Sequence, residues 1–243
     1  IRSAAAGALG RVGGESQVAW DSLLSGLDDP DPGTRTSSIQ GIAERGRMRA
    51  ETVPTLAKAR KDTDAGVRGE AARALGLTGL AAAVPLLREA LRDSEASVRT
   101  RALNSLALLE GLAAPAIPDL LVALEDPDLG ARYMACSALG AIGPAAAPAV
   151  PAIGRVLMDA SPYCRLSALN ALGGIGPSSA GFRHRIEELL EDPMPVVRSR
   201  AAWALGRMGP AARDSAPALR KCLEDEEEWV RRAAQEALDA VSK

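Results

Sequence analysis

In the stretch from Asp126 to Gly143, DPDLGARYMACSALGAIG, apolar residues fall at Ala131, Ala135, Ala138, Leu139 and Ile142, positions i, i+4, i+7, i+8 and i+11. That spacing puts them on one side of a helix, so the stretch predicts an amphipathic helix buried along one face. Gly143 is placed to end it, because glycine accepts the left-handed conformation past the last turn. Pro144 cannot continue the same helix but suits the first turn of the next. Gly176-Pro177 and Gly209-Pro210 repeat the device. A second, shorter apolar segment, such as Ile117 to Leu124, then leads through a turn holding Asp126-Pro127 into the next copy. The predicted unit is helix, turn, helix.

The same pattern recurs along the whole chain. Asp126 and Arg132 lie six residues apart, and the step repeats at Asp29/Arg35, Asp62/Arg68, Asp93/Arg99, Asp159/Arg165, Asp192/Arg198 and Asp225/Arg231. Starting at Arg2, successive arginines are 33 residues apart, except for Arg68 to Arg99, which is 31. A fixed period of this size marks stacked helical repeats, each burying its apolar face against its neighbours. The expected fold is an all-α right-handed solenoid in a single domain, residues 1–243. Its units are a half repeat over 1–13 and full repeats over about 16–46, 51–79, 80–111, 112–143, 144–176, 177–209 and 210–243. The copy over 98–111 has Ala107 at its internal glycine position, and the shortened step before it is expected to alter the local pitch. No strand signal interrupts the series.

On these residues the chain resembles the HEAT repeats, in the subgroup named after the phycobilisome lyases. The resemblance rests on the Asp-x5-Arg step, on V-R-x-x-A at Val67-Arg68 and Val197-Arg198, and on A-L-G-x-x-G at Ala138 to Gly143 and Ala204 to Gly209. It covers essentially the whole chain. In that family the Asp and Arg form a ladder between neighbouring repeats, and the resemblance gives that structural role to the seven pairs above. It implies little about activity, since such repeats serve as scaffolds in unrelated systems.

The two ends differ in character. Ile1-Arg2 matches Val197-Arg198, so the chain opens inside a repeat, and its first edge is expected to be covered by additional N-terminal sequence or by a partner chain. At the other end, the apolar column of Ala6, Ile39, Ala72, Leu103, Cys136, Leu169 and Ala202 becomes Gln235, and the small-residue column of Gly140 and Gly206 becomes Asp239. Those changes read as a polar cap at a natural end.

Composition narrows the function. The net charge is −2 with acids and bases interspersed, which lacks the basic field of a nucleic-acid binder. Cys136, Cys164 and Cys222 occupy apolar columns and read as buried thiols; a reducing, cytoplasmic setting fits them. Tyr133 to Gly154 is a 22-residue run without a charge, but Gly143-Pro144, Pro148 and Pro151 break it into two helices and a turn, so no membrane insertion is expected.

Catalysis finds little to work with. His184 is the one histidine, beside Arg183 and Arg185, and no phosphate loop, nucleophile elbow or paired-cysteine metal motif is present, so no catalytic residue, metal or cofactor is assigned. Deoxyhypusine hydroxylase, which shares the fold, uses several His-Glu pairs to hold iron, and this chain has none.

Function is therefore sought on columns that the repeat leaves free. In HEAT-like arrays the second helices line the concave face, with the third, fourth and seventh positions exposed, counting from the residue before Arg. On adjacent rungs these columns gather Tyr133, Met134, Leu166, Asn170, Arg200 and Trp203, an apolar and aromatic strip with an amide and a cation. Trp, Tyr and Arg are the common hot-spot types, and an amide both donates to and accepts from a peptide backbone. The preceding copies offer Glu70, Arg73, Arg101 and Asn104 instead, a polar set. Tyr163 and Trp229 share a column at the start of the second helix and read as packing on the turn. The expected function is a protein-interaction scaffold that binds a peptide or a partner's helix on this face. The alternatives are a bilin lyase or isomerase, from the resemblance, and the recognition arm of a larger enzyme or assembly whose other domains precede residue 1.

Overall fold

The computed structural model describes residues 2–12, 16–45 and 51–243; Ile1 and the joints at 13 and 46, on which the expected N-terminal edge and two repeat limits fall, lie outside them. Every regular element among the described residues is helical, and the fold is an all-α solenoid. Packing divides the chain into two units, Ile1–Asp119 and Leu120–Lys243. The first holds α1 (Arg2–Val12), α2 (Gln17–Gly26), α3 (Pro32–Arg45), α4 (Thr52–Ala59), α5 (Ala65–Leu77), α6 (Val84–Ala90) and α7 (Ala96–Leu108). The boundary falls inside α8 (Ile117–Ala123). The second unit continues with α9 (Leu129–Ile142), α10 (Val150–Val156), α11 (Pro162–Ile175), α12 (Arg183–Glu188), α13 (Pro195–Met208), α14 (Ala216–Lys221) and α15 (Glu228–Val241).

Each unit has the same two-layer construction. The long helices stack on one another in order, α1 on α3, α5 and α7 in the first unit and α9 on α11, α13 and α15 in the second. Within each unit short helices pack on the long helix that follows them, as α4 does on α5 and α6 on α7 in the first and α10 on α11 and α14 on α15 in the second. Leu23, Ile39, Ile42, Leu75 and Leu103 are fully buried between the layers of the first unit, and Leu139, Ile153, Leu169, Leu172 and Leu205 between those of the second. Alanine and glycine fill the seam between long helices, where a Cβ on Gly140 would lie 2.8 Å from the Cα of Ala171. Cys136, Cys164 and Cys222 are buried free thiols, and burial pushes each one's pKa up, so they act as small apolar groups.

The ends of the long helices follow from particular residues. Gly143, Gly176 and Gly209 have φ of 73°, 80° and 59°, and they terminate α9, α11 and α13. The chain does not pass directly into the next α-helix, as the Gly-Pro pattern predicts. It runs through 3-10 turns at Gly143–Ala149, Gly176–Phe182 and Gly209–Ser215, which shorten the following helix. The uncharged run from Tyr133 to Gly154 is accordingly broken at Gly143, and Ala135, Cys136, Ala138, Leu139, Ile142 and Ile153 are buried in repeat packing. At the other ends, where the residue two beyond the ladder aspartate is itself an aspartate it caps the helix: Asp64 accepts from the Val67 amide at 3.0 Å and Asp128 from the Ala131 amide at 2.9 Å.

The recurring Asp and Arg meet in two ways. Within a copy, the guanidinium donates to main-chain carbonyls, Arg68 to Asp62 and Thr63 at 3.0 and 3.1 Å and Arg165 to Asp159 and Ala160 at 3.1 Å each. Arg99 and Arg231 make the same pair of carbonyl contacts. Between copies, the other edge of the guanidinium grips the next copy's carboxylate. Arg35 reaches Asp62 at 2.8 Å through two bonds, Arg68 reaches Asp93 at 2.7 and 2.9 Å, and Arg198 reaches Asp225 at 2.7 and 2.8 Å. Arg2 with Asp29 and Arg165 with Asp192 are similar, and Arg132 with Asp159 is looser at 3.4 Å. Each of these carboxylates also accepts the amide two residues on, as Asp93 does from Glu95 at 3.0 Å.

Trp203 on α13 packs where glycine opens the neighbouring helix. A Cβ on Gly173 of α11 would fall 2.3 Å from the Trp203 ring, so the indole occupies space that only glycine leaves. The Arg200 guanidinium covers the same ring at 4.9 Å from its centroid.

Two outcomes follow. Asp93 and Asp225 are held below the ordinary carboxylate range, chiefly by the bonds from Arg68 and Arg198, which outweigh the opposing effect of burial. A carboxyl with a lowered pKa stabilises the fold above its unfolded value near about 3.9, and that stabilisation is lost as pH falls through the native value. The urea midpoint is therefore expected to drop between about pH 5 and about pH 2. Asp225→Asn should cost roughly 1.5–3 kcal/mol at neutral pH and flatten that drop; an unchanged acid limb in both Asp93→Asn and Asp225→Asn would show that these carboxylates do not carry it. Gly173→Ala should cost about 1–3 kcal/mol by overpacking. In a background with Trp20 and Trp229 replaced by Phe, it should also shift the Trp203 emission, and an unaltered spectrum would contradict the packing described.

Candidate functional site

Between α9 and α11, on the face turned away from the short helices, lies an open cavity of about 400 Å³. Three of the six strip residues, Tyr133, Leu166 and Asn170, line it together with Leu129, Gly130, Ser137, Tyr163 and Ser167. The repeat places them: Tyr133 and Ser137 are one turn apart on α9, and Leu166 and Asn170 are one turn apart on α11. Ser167 is buried and donates its hydroxyl to the Tyr133 carbonyl at 2.7 Å, which fixes the two helices where the cavity opens. Leu129 and Tyr163 form its exposed rim, with 41% and 69% of their surface accessible.

The other three strip residues lie elsewhere. Trp203 lines a smaller cavity of about 250 Å³ between α13 and α15, with Gly206, Arg207, Ala233, Glu236, Ala237 and Ala240. Arg200 stands over the indole as described. Met134 is half-buried on α9 and belongs to neither lining. The strip is thus two neighbouring sites of different chemistry, and the larger is apolar with neutral hydrogen-bonding groups only.

Tyr163, which the sequence pattern places as packing on its turn, stands at the cavity rim. Its position is legible in retrospect: Tyr163 precedes Leu166 by three residues, and Leu129 precedes Tyr133 by four, so both extend the exposed stripe by one helical turn. Trp229, in the matching column, is 40% exposed and donates its indole N–H to Glu227 at 3.1 Å.

A neutral aromatic and aliphatic cup with one primary amide and two phenols suits an apolar side chain carried on a peptide. Asn170 can donate to a carbonyl and accept from an N–H of the same backbone. The lone histidine forms a different arrangement. His184 Nδ1 lies 3.1 Å from Glu187 Oε2, and the buried Ser215 hydroxyl donates to Glu187 Oε1 at 2.6 Å. The carboxylate stands in the middle, so the imidazole does not reach the hydroxyl and the three groups do not form a nucleophile relay.

Comparison with known proteins agrees with this architecture. No curated protein matches the chain. Among solved structures, one engineered protein superposes with a TM-score of 0.65 at 22% identity, covering 78% of this chain and 96% of its own. A second engineered protein gives 0.68 at 20% identity, covering 97% and 73%. The complex of CpcE and CpcF of phycocyanin lyase from Nostoc sp. PCC7120 gives 0.60 at 23% identity, covering 91% and 94%. At these identities the likeness is one of fold. The family model for HEAT repeats matches residues 20–107 and 150–239, more than half of the sequence, and with the helix pairs and their period this establishes that the chain belongs to the HEAT-repeat family.

Proposed function

We propose that the protein is an interaction scaffold that receives an extended peptide or a partner's helix on its long-helix face, with the cavity between α9 and α11 as the anchor point. The observation that carries this reading is the lining itself, where Tyr133, Tyr163, Leu129 and Leu166 surround about 400 Å³ beside the amide of Asn170. Apolar walls with a few oriented polar groups are the usual composition of a binding site, and rigid aromatic residues supply anchors at low entropic cost. HEAT repeats as a family support the coarser part of the proposal, an interaction role.

A second reading, bilin attachment or isomerisation, draws on the neighbour that is a complex of phycocyanin lyase subunits. A bilin carries two propionates, and the lining of the larger cavity offers no cation to pair with them. The peptide reading is therefore preferred.

A displayed peptide library selected on the purified protein tests it. Enriched peptides should share a bulky apolar residue, and Leu166→Asp or Tyr163→Ala should each weaken their binding by about 2 kcal/mol, some thirtyfold, without moving the melting temperature. Peptides that bind both variants as tightly as the wild type would place the anchor elsewhere. A shift of the free bilin's visible absorption on mixing with the protein, lost in Leu166→Asp, would instead bring the second reading forward.

A further inference from the structure

Among the described residues, Glu70 is the one charged residue of the first unit's long-helix face to be almost wholly buried, with 3% of its surface accessible. Sister copies put Ala4, Ser37, Arg101, Met134, Ser167, Arg200 and Ala233 at its column. A buried carboxylate is expensive unless both oxygens are paired, and here two arginines pair them. Arg73 Nε donates to Oε1 at 2.9 Å, and Arg101 Nη1, from the next long helix, donates to Oε2 at 3.0 Å. Arg101 reaches this position by lying across Gly69, where a Cβ would stand 2.9 Å from its Cδ. Among the copies only this one combines glycine at that column with a glutamate beside it.

The carboxylate uses one edge of each guanidinium and leaves the rest facing solvent, with side-chain exposures of 37% for Arg73 and 47% for Arg101. Two cations against one buried anion leave a local charge of +1, tempered by the exposed Glu44, which also acts on Arg73. We infer that Arg73 and Arg101, braced from below by Glu70, form a clamp for a single carboxylate of an acidic segment in a protein partner. Planar guanidiniums match a carboxylate through paired bonds, and holding them in place beforehand removes the ordering cost that weakens exposed ion pairs. The small local charge favours a monoanion over a phosphate dianion. The inference rests on the scaffold reading in so far as both assign partner binding to the long-helix face, but the groups involved are different and belong to the first unit.

The test uses the full chain with labelled arginine side chains and three capped probes: hexaglutamate, hexaglutamine and a hexapeptide carrying one phosphoserine among neutral residues. Hexaglutamate should shift the Nε–H signals of Arg73 and Arg101 saturably, with hexaglutamine silent. Arg101→Gln should raise the Kd at least tenfold, and Gly69→Ala, which displaces Arg101 without removing charge, should weaken binding in the same sense. Arg220→Gln, an exposed arginine on α14, should stay within twofold of wild type. Equal shifts at Arg220, or Arg101→Gln within twofold of wild type at unchanged helical content, would overturn the clamp. Tighter binding of the phosphoserine probe than of hexaglutamate would overturn its assignment to a carboxylate. Leu166→Asp leaves this readout untouched if the clamp is correct, so failure here and failure at the α9/α11 cavity are distinguished.

Discussion

One arginine per repeat ties its own turn to the repeat that follows. Its guanidinium closes the turn before its own helix by bonding two carbonyls, and it grips the aspartate that begins the corresponding turn of the next copy. That aspartate in turn accepts the amide two residues further on. Turn geometry and repeat-to-repeat spacing are thereby set by the same few polar atoms, largely shielded from water: in the Arg198–Asp225 rung the side chains are 16% and 9% exposed. Paired bonds between charged groups in such surroundings are directional in a way that alanine-rich packing is not. The apolar seam supplies cohesion, and the ladder supplies register.

A register fixed by column two leaves the neighbouring columns free to vary. In the second unit those columns carry Tyr133, Leu166 and Asn170 around one cavity and Trp203 with Arg200 beside another. In the first unit the same columns carry Glu70, Arg73 and Arg101 in a charged network. Copies of one repeat thus present unlike chemistry, a neutral cup and a Trp–Arg pair in one unit and an ionic network in the other. The exceptions mark where a free column is used for packing as well: Ser167 bonds the Tyr133 carbonyl, and Trp203 fills the gap over Gly173.

The period, the long helices and their buried stripes were legible because a 3.6-residue pattern and a 33-residue spacing leave few other folds. The direction of the ladder was not legible. An arginine six residues after one aspartate and 27 before the next can pair with either, and only the structure shows that the carbonyls of the first and the carboxylate of the second are both used. The 3-10 turns at Gly143–Ala149 and its counterparts were hidden because a proline directly after glycine fits the first turn of an α-helix as well as a 3-10 turn. Of the site, Tyr133, Leu166 and Asn170 emerged from the columns, whereas Tyr163 and Leu129 lay one turn outside the counting. The burial of Glu70 depended on Gly69 and on an arginine 31 residues away, a relation that no local pattern announces.

The central claim is that the residues holding the repeats together and the residues facing a partner are different sets. A saturation scan of every position in α9, α11 and α13, read as the abundance of folded protein, tests it without requiring any ligand. The account predicts intolerance at Arg132, Arg165, Arg198, Leu139, Leu172 and Leu205, and tolerance of varied side chains at Tyr133, Tyr163, Leu166 and Asn170. If those four positions lose folded protein as severely as the buried leucines, the proposed face is part of the framework and the separation fails.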